Sequence, residues 1–185
     1  MKPIVLLLLL LTASPAFASD ICNDLWFSRN AVMDRAGYCF GSPLGQAVFD
    51  NRDCTGKSVT ISASNQRVVA DLQRAERRLG CKVNTKARRL QLYDLSIRRH
   101  LMDQPVRDEF ESACLGWIGP VIPLRAGTDA RRPVIGAIQP GDYVSYAHIP
   151  RQGWTYVTVT DGNRRLKSGG WLDLAVPEQC AQFAG

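Results

Sequence analysis

GDYVSYAHIPRQGWTYVTV, residues Gly141 to Val159, is the stretch whose reading decides the fold. Val144, Tyr146 and His148 alternate with Tyr143, Ser145 and Ala147, the period of two that places successive side chains on opposite faces of a strand. One of those faces must be buried. The pair Gln152-Gly153 supplies the turn, and Trp154 to Val157 resumes the alternation. Trp154 and Tyr156 share one face, Thr155 and Val157 the other. Alternation alone leaves open which of the two is outside.

Outward from this hairpin the same texture holds from Cys114 onward. Short apolar runs, LGWIGPVIPL, PVIGAI, GDYVSYAHI, GWTYVTV and GGWLDL, are separated by Gly and Pro, with a further turn at Asp161-Gly162. Five short strands at this spacing predict a small β-barrel. Upstream the period changes. NDLWFSRNAVMDRAG reads as an amphipathic helix capped by Asn23 or Asp24 and stopped by Gly37. Ser42-Pro43 then opens a short second helix carrying Leu44, Ala47, Val48 and Phe49, with proline where its missing N–H is harmless. Helices joined by so few residues pack as a hairpin. Arg29, Asn30, Asp34 and Arg35, on its charged side, are expected to hold it to the rest of the module. Ser64 caps a third helix with Val68, Val69, Leu72, Ala75 and Leu79 at helical period, closed by Gly80. Residues 87–104 mix both periods and are read as helical up to Pro105, and 103–112 as a polar link. The fold class is therefore α+β, a disulfide-stapled helical module over 19–112 followed by a small barrel over 113–185.

The first residues, MKPIVLLLLLLTASPAFASD, have the form of a secretory leader spanning 1–18: one cationic residue, Lys2, an apolar run, then small residues. Cleavage is expected between Ala18 and Ser19, leaving no transmembrane anchor. Export fits the cysteines. Cys22, Cys39, Cys54, Cys81, Cys114 and Cys180 all follow the cleavage point, and an even count in an exported chain predicts three disulfides. Cys114 and Cys180 flank the barrel, whose chain ends should lie close, and Cys39 and Cys54 bracket the second helix. Cys22 with Cys81 completes the favoured set among fifteen pairings. With no Cys-x-x-Cys spacing and only His100 and His148 as histidines, neither a metal nor a cofactor is expected.

The formal net charge is +6, and its excess is local. Arg67, Arg74, Arg77, Arg78, Lys82, Lys86, Arg88, Arg89, Arg98 and Arg99 face only Asp71, Glu76 and Asp94 within 67–99. Such a run is ordinarily a solvated face, and an exported chain meets anionic envelope polymers rather than nucleic acid.

Five blocks in order, Leu124-Arg125-Ala126-Gly127, Pro133-Val134-Ile135-Gly136, Pro140-Gly141-Asp142, Gly153-Trp154-Thr155-Tyr156-Val157 and Gly169-Gly170-Trp171-Leu172, resemble bacterial SH3-like domains. The lengthened DGNRRLKSG connection is the departure, and it adds Arg164, Arg165 and Lys167. Arg29 to Phe40, RNAVMDRAGYCF, resembles the extracellular YARHG module at Arg29, Asn30, Arg35, Gly37 and Phe40. Met33, Asp34 and Ala36 replace its Tyr, Ala and His, so a role resting on that histidine is absent. LWFSRN, DRAGYCF, LGQAVFDN and RDEFESACLGW together resemble an alphaproteobacterial family catalogued as domain of unknown function 4453. That resemblance implies no activity.

No catalytic constellation emerges. Ser145 and Asp142 lie near His148 only along the strand, where residues three and six apart face differently or stand about 20 Å away. His100 fits a surface helix. Binding remains. Tyr143, Tyr146, Trp154, Tyr156 and Trp171 gather on the barrel strands, half of them necessarily core, and SH3-like grooves expose aromatics to peptide or glycan. The expectation is a non-catalytic periplasmic or secreted binding protein that contacts cell-wall peptide, glycan or an envelope protein. The alternatives are a wall-targeted hydrolase with its site in residues 19–113, drawing on His100, Asp34, Glu76 or Asp94, and a secreted inhibitor or envelope assembly factor.

Overall fold

The computed structural model describes residues 15–185, with side chains from Asp20 onward. The leader expected over 1–18 therefore lies outside the described residues up to position 14. The Ala18–Ser19 junction falls within the first turns of the first helix. Four helices, α1 (Pro15–Arg35), α2 (Pro43–Val48), α3 (Ala63–Arg78) and α4 (Leu95–Arg98), precede seven strands. These are β1 (Arg107–Trp117), β2 (Ile122–Arg125), β3 (Val134–Ile138), β4 (Tyr143–His148), β5 (Trp154–Thr160), β6 (Leu166–Asp173) and β7 (Cys180–Ala184).

α1 begins eight residues before the expected Asn23 cap, so Asp24 is an interior helix residue and is buried. Two faces of α1 are covered. Leu25 and Val32 pack on Val68, Leu72 and Ala75 of α3, while Trp26, Phe27 and Ala31 pack on Leu44, Val48 and Phe49. Burial of several large apolar side chains at about 1.5–3 kcal/mol each makes α1 the centre of the helical half. Gly37 ends the helix at φ +86°, and a Cβ there would sit 2.6 Å from Thr55 Oγ1. Only glycine meets both conditions without strain. The chain then pairs Tyr38 with Gly56 and closes the Cys39–Cys54 disulfide around α2. Ser42 caps α2 by accepting from the Gly45 N–H, with Pro43 in its first turn.

Two helical expectations need correction. α3 is capped by Ser62, which accepts from the Asn65 N–H; Ser64 hydrogen-bonds the Ser62 hydroxyl instead. Within 87–104 only Leu95–Arg98 is helical. The apolar residues of this segment serve different cores, Leu90 the helical one and Leu101 the one above the sheet, so tertiary partners override local period.

The sheet is antiparallel throughout, in the order β3-β2-β6-β5-β4-β1-β7. It is open. This corrects the five-stranded barrel: β3 and β7 are edges, and β2 meets β6 through the single pair Arg125↔Trp171. β7, joined to β1 by the Cys114–Cys180 disulfide, occupies the side of β1 that a closing ladder would need. β1 starts at Arg107, inside the stretch expected to be a polar link, and crosses the expected boundary between 112 and 113. One face of the sheet curls over a core of Cys114, Trp117, Leu124, Ile138, Val144, Val157, Val159 and Leu172. Val157 is thus inside that core. Tyr156 and Trp171 lie with Leu101 in a second cluster on the face turned to the helices. The third disulfide, Cys22–Cys81, ties α1 to the chain leaving α3.

Candidate functional site

Where the helices meet that second face, α1 contributes Asp24 and Ser28, one turn apart. The turn into α4 contributes Asp94, and α4 itself contributes Arg98. β4 ends in His148, and β5 brings Tyr156. All six are buried. Arg98, with no exposed surface, donates from Nη2 to Asp24 Oδ1 at 2.8 Å and from Nη1 to Asp24 Oδ2 at 3.2 Å. It also donates to Ser28 Oγ, and Ser28 in turn donates to Asp24 Oδ1 at 3.3 Å. Asp94 stands 3.7 Å from the guanidinium and accepts from the Tyr156 hydroxyl at 2.6 Å. The Phe27 and Tyr156 rings flank the cation at 5.8 and 5.2 Å. A buried cation of this kind is tolerated only because two carboxylates and two rings surround it.

His148 Nε2 lies 3.0 Å from Asp24 Oδ2 and 3.3 Å from Arg98 Nη1. A carboxylate only accepts and a guanidinium only donates, so one nitrogen cannot serve both. The shorter contact assigns the proton to Nε2, which donates to Asp24. Burial, with Arg98 beside it, depresses the His148 pKa against the opposing pull of Asp24. The ring is therefore neutral near pH 7. Burial would raise the Asp24 carboxyl, but Arg98 and His148 outweigh it and hold the group well below the ordinary carboxylate range. Burial and Asp94 push the Tyr156 hydroxyl well above its usual value. Among the described residues the polar contacts of His148 run to Asp24 and Arg98, both through Nε2.

Asp24, Asp94 and His148 also form the inner wall of a cleft of about 1020 Å³. One side is the start of the described part of α1 and the segment 89–94. The other is the sheet face where Ala113 and Leu115 of β1, Tyr143 and Ser145 of β4, and Thr158 and Thr160 of β5 stand side by side. Tyr143 pairs with Thr160 and Ser145 with Thr158 across the two strands. At the mouth, the Tyr93 hydroxyl donates to the Arg164 carbonyl at 3.5 Å. Arg164 sits at φ +61° in the lengthened β5–β6 turn. Arg107 lines the cleft and donates to Glu111 at 2.9 Å, while its buried Nε has no partner among the described residues.

A single family model spans most of both walls. It matches residues 80–185, more than half of the chain, and is described as a domain of unknown function, DUF4453. The chain belongs to the DUF4453 family. A second model, the YARHG domain, matches residues 2–77. The buried network thus joins the two matched regions, Asp24 and Ser28 from the YARHG match and Asp94, Arg98, His148 and Tyr156 from DUF4453. No curated protein and no solved structure matches this DUF4453 chain. Its three disulfides and the YARHG match fit an extracellular or secreted protein. Among the described residues no helix is long and apolar enough to cross a membrane. No three His, Cys, Asp or Glu among them converge as metal ligands.

Of the five aromatics singled out in the sequence, Trp154, Tyr156 and Trp171 are brought together, in a core cluster, and Tyr143 and Tyr146 are not part of it. Tyr156 and Trp171 are wholly buried, Trp171 donating from Nε1 to the Asp103 carbonyl at 2.9 Å. Trp154 packs, half-buried, on the same cluster, and Tyr146 packs half-buried against the core of the opposite face. Only Tyr143 lines the cleft. Sequence reasoning missed Tyr93 and the roles of Asp24 and Arg98, and named Asp94 only as a hydrolase candidate. The spacing Asp94-x-x-x-Arg98 is the local signal that points to the network. Of the polar residues named for a hydrolase, Glu76 pairs with Arg29, Asp94 holds Tyr156, and His100 is exposed beyond α4. Arg35 donates to the Leu101 and Met102 carbonyls and Arg29 reaches α3, so these two arginines tie the α1–α2 hairpin to its surroundings.

Proposed function

We propose that this chain is an exported, periplasmic or secreted, non-catalytic binding protein that holds a cell-envelope ligand in the cleft between its helical half and its SH3-like sheet. The leader over 1–18, cleaved after Ala18, would deliver it, and residues 19–112 would scaffold the sheet. The cleft of about 1020 Å³ carries this reading, because its size is that of a small-ligand site and its floor is a rigid strand surface. The network at its inner wall supports binding over catalysis: Asp24, Ser28, Asp94, Arg98 and Tyr156 are hydrogen-bonded or ion-paired to one another, and among the described residues no serine, threonine or cysteine reaches the His148 nitrogen bound to Asp24.

The test is co-sedimentation of oxidised protein with isolated peptidoglycan, beside the variant Ser145→Trp, which fills the cleft from its floor. Loss of sedimentation in the variant with unchanged thermal unfolding supports the reading. Equal sedimentation of both chains, or of neither, overturns it.

A further inference from the structure

The floor of the cleft is unusual in what it leaves unmade. Tyr143, Ser145, Thr158 and Thr160 present four hydroxyls on one sheet face, and none of them has a hydrogen-bond partner among the described residues. Cross-strand neighbours stand about 5 Å apart and alternate residues along a strand about 7 Å. The four therefore tile a patch about the size of one pyranose ring. Each hydroxyl both donates and accepts, which matches the groups a sugar offers in return. Tyr143 and Leu115 add apolar surface beside this row, and Tyr93 stands exposed on the opposite wall.

Two further observations narrow the ligand. β4 and β5 are paired on both sides, and β1 is so from Ala113 to Leu115, so the floor of the cleft offers side chains and no free strand edge. An extended peptide captured by strand addition would have no ladder to join. With Arg98, buried directly behind the cleft wall, the charges of the cleft also cancel. Arg107 is matched by Glu111, and Arg98 by one of Asp24 and Asp94. The other carboxylate and Asp20 are offset by Arg89 and Arg164, and His148 is neutral. The cleft therefore lacks the excess positive charge that would select a polyanion.

Resting on the binding reading above, the geometry points to a neutral saccharide as the ligand, with one ring seated on the Tyr143, Ser145, Thr158 and Thr160 hydroxyls. Calorimetric titration of the full oxidised chain with a β-linked N-acetylglucosamine tetramer tests this, beside a wall-type stem pentapeptide and polygalacturonate. The tetramer is expected to bind, with affinity changing less than about twofold between low and physiological salt. The double variant Ser145→Ala/Thr158→Val should weaken it about tenfold, two neutral hydrogen bonds' worth, with the thermal midpoint unchanged. If only the pentapeptide binds, and Ser145→Trp blocks it, the cleft stands as a binding site and the saccharide assignment falls. Tighter, steeply salt-dependent binding of polygalacturonate overturns the neutral ligand in favour of an acidic glycan. If none of the three binds, the saccharide assignment is rejected; the sedimentation assay then decides separately whether the cleft is a binding site at all.

Discussion

Arg98 and Asp24, 74 residues apart in sequence, form a two-pronged ion pair at 2.8 and 3.2 Å with almost no access to solvent. The pair bridges the region matched by the YARHG model and the region matched by DUF4453. Replacing Arg98 by Met leaves Asp24 buried with only Ser28 and His148, and should cost about 3–5 kcal/mol, because an uncompensated buried charge is what destabilises. Asp24→Asn/Arg98→Met together should cost less than the sum of the single changes. Urea unfolding with the disulfides intact measures all three; additive losses would show that the two side chains are not coupled.

The same network sets an acid limit. Stability rises with pH wherever the unfolded chain binds more protons than the folded one. His148 has its folded pKa depressed below 6.5, so in that range the unfolded chain protonates first and stability falls as pH drops below about 6.5. Asp24 is held far below 3.8, so its contribution is present above that value and is lost as pH falls beneath it. The urea midpoint, followed from pH 8 to 3, should decline in two stages. His148→Gln should flatten the upper stage and weaken the lower one without abolishing it, since Arg98 still holds Asp24 down.

The aromatic residues of the sheet separate by role. Trp171→Ala empties a wholly buried site and should cost about 3–5 kcal/mol. Tyr156→Phe removes the hydroxyl bound to Asp94 and should cost about 1.5–3 kcal/mol, as for a hydrogen bond to a charged group. Tyr143→Ala, on the cleft floor, should change stability by about 0.5 kcal/mol or less. Thermal unfolding of the three variants distinguishes core from site.

Each disulfide restricts the unfolded chain by an amount that grows with the logarithm of the loop it closes. Cys39–Cys54 encloses a separation of 15 residues and should contribute about 3 kcal/mol; Cys114–Cys180, with a separation of 66, about 4 kcal/mol. Paired Cys→Ala variants compared in denaturant give the difference. Cys114 is also wholly buried in the sheet core, so its removal should exceed the loop figure.

Gly37→Ala should lose at least about 1–2 kcal/mol, since φ +86° opposes any Cβ and Thr55 Oγ1 stands 2.6 Å from where it would be. Relief by the second change Thr55→Gly would separate the steric part from the backbone part in a double-variant cycle.

Local chemistry is what the sequence announces well. Ser42-Pro43 opens α2, Gly37 stops α1, Val68, Leu72 and Ala75 mark the buried stripe of α3, and the alternation from Tyr143 to His148 and from Trp154 to Thr160 marks β4 and β5. Each depends on residues within one or two turns of one another. Asp24 shows the limit. Beside Asn23 at the edge of an apolar run it has the local form of a helix cap, and nothing nearby in sequence distinguishes that from an interior position.

By itself the sequence determined an α+β chain with paired cysteines and its order of helices before strands, because caps, turns, periodicity and composition are local properties. Only the tertiary structure decided that the sheet stays open, that β1 begins inside a polar stretch, and that Asp24, Arg98, His148 and Tyr156 converge beside a cleft. Those outcomes depend on pairs such as Cys114 with Cys180, which sets β7 on the edge of β1, and Asp24 with Arg98, whose attraction operates only once burial has removed the water between them.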